Sequence, residues 1–160
     1  MEVAVFRSAR RRKTVSARLV GGVLEVRLPA WMDAAEEARY VDDMRRRFER
    51  RREADTVDVD ALARRLARRH DLPQPTAVRW VDNQTSRWGS CTPADGTIRV
   101  SSRLAMWPRW VLEYVLVHEL AHLVEPSHGP AFHALVARYP RAERATGFLI
   151  AKGLEADEQA

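Results

Sequence analysis

Residues 109 to 124, Arg-Trp-Val-Leu-Glu-Tyr-Val-Leu-Val-His-Glu-Leu-Ala-His-Leu-Val, constrain this chain more than any other segment. The run has helical composition and follows Pro108, which suits the first turn of a helix. Stepped at ~100° per residue, His118, Glu119, His122 and Glu125 fall within an arc of about 120°, and Leu112, Tyr114, Leu116, Val117, Leu120, Ala121, Leu123 and Val124 fill the rest. A solvated stripe would carry Lys, Arg and Gln. A helix that is largely apolar outside an arc of two His and two Glu is expected to be buried, with that arc facing a site.

The spacing gives that site a chemistry. His118 and His122, four residues apart, project from one helical face about one turn apart, so both imidazoles can reach one zinc ion at about 2.0 to 2.1 Å. Glu119 follows the first His round the helix and is placed to accept a proton from water activated by the metal. Four of the five His lie between 118 and 133. His128 sits six residues after His122, beside Gly129 and Pro130, where a turn can bring it back to the same ion. Three protein ligands would leave a fourth position open, the catalytic arrangement. His133 and Glu143 are the alternative third ligands. His133, however, belongs to an expected packed helix, and Glu143 to an Arg-flanked surface segment.

The rest of the chain reads as a mixed α+β protein. Residues 3 to 7 form a strand, and residues 14 to 20 and 23 to 28 alternate around Gly21-Gly22 as a β-hairpin. Asp33 caps a charged helix running to about Glu53, and a second helix covers 57 to 70. Short strands at 77 to 81, 86 to 90 and 97 to 101 form a small antiparallel sheet with a turn at Pro93 to Gly96. After the helix ending near Val124, two further helices are expected at 131 to 139 and 141 to 151. At 160 residues the chain fits one domain: a basic hairpin-and-helix part at 1 to 70, a catalytic part at 71 to 152, and a polar tail at 153 to 160.

Charge and cysteine content narrow the surroundings. Cys91 is the only cysteine, so no internal disulfide or thiolate cluster can form, and a reducing compartment is expected. The N-terminus lacks a signal-peptide pattern, and the most apolar run is too short and too polar to span a bilayer. A cytoplasmic protein with no membrane association is expected. Residues 1 to 70 hold 18 Lys and Arg against 12 Asp and Glu, while the remainder holds 9 against 10. The basic part, including Arg10, Arg11, Arg12 and Lys13, is therefore a candidate surface for nucleic acid or another anion.

Several runs together resemble a known family: Arg87-Trp-Gly-Ser-Cys91, Gly96-Thr-Ile98 with Leu104, Tyr114 through His122, and Ser127-His128-Gly-Pro-Ala-Phe132. Together with Arg10 to Thr14, the Gly21-Gly22 turn and Pro29, they resemble the YgjP-like zincin metallopeptidases, related to the WLM and SprT groups. Ser127 and Gly129 stand where that family more often has Asn and Ser. The resemblance implies a zincin-like fold, zinc held by His118, His122 and His128, Glu119 as base, and a peptide or protein substrate. The metzincins share the spacing to His128, but they carry Gly where Glu125 stands and a downstream Met, and no Met follows Met106 here. Two rival readings are a metal-dependent phosphohydrolase acting on nucleotides and a nucleic-acid-associated protein with a structural zinc site. Among neighbouring residues, Trp88 and Cys91 read as packing residues, Glu125 as a residue that orients His122 or His128, and Tyr114 and Tyr139 as candidate oxyanion donors.

Overall fold

The structure, a computed structural model, describes residues 1–153. The chain forms two compact units, Met1–Arg52 and the part from Glu53 onward.

In the first unit, β1 (Glu2–Ser8), β2 (Ser16–Val20) and β3 (Val23–Pro29) make a three-stranded sheet in the order β1-β3-β2. The β2–β3 hairpin turns on Gly21 and Gly22, whose φ values of 56° and 85° explain glycine at both positions. β1 adds to the other edge of β3 in parallel, from Glu2 opposite Val23 to Ser8 opposite Pro29. Helix α1 (Ala34–Ala54) opens where Glu36 N–H donates to the Asp33 carboxylate at 2.8 Å, the expected cap. Val41, Met44 and Phe48, spaced at helical period, cover Leu24, Val26, Leu28 and Met32. Glu36 and Glu37 in the first turn and Arg51 and Arg52 in the last match the helix dipole.

The second unit begins with α2 (Val59–Arg69), capped by Asp58, whose carboxylate accepts from Ala61 N–H at 2.9 Å. Strands β4 (Ala77–Val81), β5 (Gly89–Thr92) and β6 (Thr97–Ser101) follow in the order β4-β6-β5. The expected antiparallel sheet is in fact mixed. β5 and β6 form a hairpin, but β4 runs parallel to β6 because the chain crosses from one edge of the central strand to the other through residues 82–88. β5 also starts later than 86, since Arg87 and Trp88 stand outside the ladder and pairing begins with Gly89 opposite Val100.

A 3₁₀ turn (Ser102–Met106) leads to α3 (Arg109–His122), then α4 (Pro130–Val136) and α5 (Ala142–Ala151). Pro130 sits in the first turn of α4, where its missing N–H costs no helical bond. Ten residues of α3, from Val111 to Ala121, are buried, so the helix runs through the core of this unit as its pattern required. His118 and Glu119 are among them. No described helix is long and apolar enough to cross a membrane.

Candidate metal centre

The last turn of α3 and the loop after it bring three imidazoles together. His118 Nε2 lies 3.2 Å from His122 Nε2, and His128 Nε2 lies 3.0 Å from the same atom. Among the described residues, these three side chains are the group placed to share one ion, with donor atoms within 4.8 Å of one another. Imidazole nitrogens bound tetrahedrally at about 2.0 to 2.1 Å would stand roughly 3.3 Å apart, close to the two spacings measured from His122 Nε2, so the set suits a small divalent cation.

Protonation supports the fit. His122 Nδ1 donates to the Glu125 main-chain carbonyl at 3.0 Å, because a carbonyl can only accept. That bond fixes the tautomer and leaves the Nε2 lone pair facing the other two rings. Burial, followed by the charges of His122, His128 and His133, pushes the His118 pKa down to about 3, so its ring is neutral near pH 7. Glu125 thus does orient His122, through its backbone rather than its carboxylate.

The triad rests on Phe132, a residue whose role sequence reasoning missed. The Phe132 ring, 2% exposed, stacks on His122 at 4.4 Å and meets the edges of His118 and His128, both at 4.8 Å. It follows His128 by four residues, and Pro130 between them starts the helix that aims it inward. That spacing was the one available signal.

Glu119 is buried beside β5, close enough to Cys91 for its charge to act there. Burial first, then Glu119 and Asp95, raise the Cys91 thiol to about 11, which suits a packing residue and not a nucleophile. Trp88 is buried, packs edge-on against Trp107 at 4.6 Å and lies under the Arg103 guanidinium at 4.5 Å. Arg103 also donates to the carbonyls of Gln84 at 2.8 Å and Thr85 at 3.4 Å, which latches the 82–88 segment next to β5.

The remaining candidates lie elsewhere. His133 is exposed, meets the ring of Phe132 at 5.6 Å and acts on His118 through its charge, and Glu143 is exposed in the first turn of α5. Tyr139 donates its hydroxyl to Glu113 at 2.7 Å, and burial together with that carboxylate holds its pKa far above the usual phenol range. The hydroxyl is therefore committed away from the triad. Tyr114 is buried with its ring 6.1 Å from His118. In the first unit, Arg10, Arg12 and Lys13 are exposed, and Arg11 is half-buried with its guanidinium on the Thr14 hydroxyl at 3.3 Å.

Residues 24–146 match the model of the YgjP-like metallopeptidase domain. The chain belongs to that family. Two solved structures share its fold. One is the metallopeptidase zymogen abylysin of Pyrococcus abyssi, with 21% identity and a TM-score of 0.54, covering 61% of this chain and 98% of that one. The other is the metallopeptidase zymogen jannalysin of Methanocaldococcus jannaschii, with 15% identity and a TM-score of 0.52, covering 61% and 99%. No curated protein sequence matches the chain. Family membership makes this a metallopeptidase domain, and the His triad is its candidate site for a divalent metal.

Proposed function

We propose that the chain is a zinc peptidase of the HExxH type, with His118, His122 and His128 as metal ligands, Glu119 as general base, and a peptide or protein as substrate. The observation that carries this reading is the convergence of three imidazole nitrogens, one held in its tautomer by the Glu125 carbonyl, on the helix that also buries Glu119. Three imidazole nitrogens suit zinc, and a three-residue set leaves room for substrate or water.

A bound divalent cation supplies Lewis acidity, polarising a carbonyl and making water acidic near neutral pH. The protein residues do the rest. Glu119, one residue after a proposed ligand and on the same helix, accepts the proton of the attacking water on a carboxylate oxygen and returns it to the departing amine. The Glu125 carbonyl keeps His122 facing inward, and Phe132 keeps water from the back of the triad.

Glu119→Gln tests the base. The variant is expected to bind zinc as the wild type does and to hydrolyse a casein substrate about 10² to 10⁴ times more slowly. Hydrolysis at the wild-type rate would remove Glu119 from the mechanism.

A further inference from the structure

Gly89, the first residue of β5, is buried and pairs with Val100 across the sheet. Glycine gives a strand no side chain to pack, so its presence at a buried, paired position calls for a cause. The backbone does not supply one: the glycines with positive φ are Gly21, Gly22, Gly96 and Gly153, and Gly89 is not among them. An L-residue could adopt its conformation.

The cause lies across the gap to α3. A Cβ built on Gly89 would stand 2.7 Å from Glu119 Oε1, 2.9 Å from its Cγ and 3.1 Å from its Cδ. These are three atoms along one side chain, and Cγ is not a flexible tip. The Glu119 side chain lies along the β5 backbone in the space a side chain at 89 would fill. It has little room to yield, because its helix is buried and its neighbours Leu116 and Leu120 are fully enclosed. The 82–88 segment that delivers Gly89 is held in turn by Arg103 and by Ser101 N–H, which donates to the Trp88 carbonyl at 2.9 Å.

We propose that Gly89 is a positioning residue for the base: its missing side chain is the seat of the Glu119 carboxylate. This rests on the peptidase reading for its kinetic consequence but not for the contact itself. A methyl group at 89 would meet Glu119 at 2.7 to 3.1 Å, closer than ordinary van der Waals contact, so the carboxylate has to leave its place, whereas the three imidazoles are not among the atoms it would meet.

The experiment is a double-mutant cycle on the zinc-loaded protein, comparing Gly89→Ala, Glu119→Gln and Glu119→Ala with the two double variants. In Gly89→Ala, kcat on casein is expected to fall roughly tenfold to hundredfold, with zinc content unchanged and KM within about twofold. Adding Gly89→Ala to Glu119→Gln should produce no further loss, because the base is already gone. Wild-type kcat in Gly89→Ala, or an undiminished further loss in the double variant, overturns the proposal. If Gly89→Ala does not fold, its pairing with Glu119→Ala decides. Recovery of soluble, cooperatively melting protein supports the contact, since the obstructing side chain has been removed, and failure to recover overturns it. A wild type without peptidase activity would sink the peptidase reading alone. The melting temperatures of the Gly89→Ala and Glu119→Ala pair would then still test the seat: a Gly89→Ala penalty that vanishes without Glu119 supports it, and one that persists rejects it.

Discussion

The two units are built on the same strand order, first-third-second, with a hairpin between the second and third strands and the first strand parallel to the third. In each, the segment between the first two strands is pinned from beyond the third: Trp31 Nε1 donates to the Arg12 carbonyl at 2.9 Å, and Arg103 donates to that of Gln84. They differ in what they bury. The first unit's buried cluster is Leu24, Val26, Leu28 and Met32, and its charges pair at the surface, as in Arg18 with Glu25 at 2.8 Å. Among the described residues, the second unit's core cluster holds 24 hydrophobic residues, and the buried polar side chains Ser101, Ser102, His118 and Glu119 all belong to this unit. A carboxylate and an imidazole resist removal from water, and a small cluster cannot offset that cost. One sheet topology thus serves both units, and the long buried helix α3 makes only the second able to hold ionisable groups in its interior.

The two units should respond most differently to truncation of their cores. Phe132→Ala is expected to destabilise the second unit by about 3 to 5 kcal/mol and, by removing the floor under three imidazoles, to weaken zinc binding at least tenfold. Leu24→Ala, a similar truncation in the first unit, should cost about 2 to 5 kcal/mol and leave zinc affinity unchanged. Denaturant melts alongside zinc titrations read both quantities. Equal loss of zinc affinity in the two variants would mean that Phe132 has no special part in the triad.

The latches offer a smaller effect that sharpens the same contrast. Arg103→Ala removes charged hydrogen bonds and a cation–π contact, and is expected to cost about 1 to 3 kcal/mol and to speed amide exchange at residues 84 to 90. Trp31→Phe removes one hydrogen bond from an exposed ring and should cost no more than about 1 kcal/mol, with faster exchange confined to residues near Arg12. Comparable exchange changes at the two loops would show that the segment beside β5 is held no more firmly than its counterpart.

How much of this was legible in the sequence depends on which atoms carry the information. The α3 pattern was readable because side chains alone make a helix apolar enough to be buried and set His118, Glu119 and His122 on one face. The hairpin at Gly21-Gly22 was readable because two residues with positive φ leave glycine as the natural choice. Parallel pairing of β4 with β6 was not, since period-2 alternation is the same for either strand direction. The start of β5 was misplaced because Arg87 and Trp88 alternate like strand residues, although Trp88 is buried against Trp107 outside the ladder. The group that orients His122 is a main-chain carbonyl, which every residue possesses, so the sequence pointed to Glu125 but not to the atom. Gly89 stands within a family-like run, yet its reason lies 30 positions away at Glu119.

The proposed site stands on the identity of its three ligands, which side-by-side zinc titrations of the wild type, His128→Ala, His133→Ala and Glu143→Ala put to the test. One zinc per chain is expected in the wild type, with a loss of roughly a hundredfold or more in affinity for His128→Ala and little change for the exposed His133 and Glu143. Full zinc retention in His128→Ala, together with loss in either of the other two, would contradict the triad and with it the proposed site.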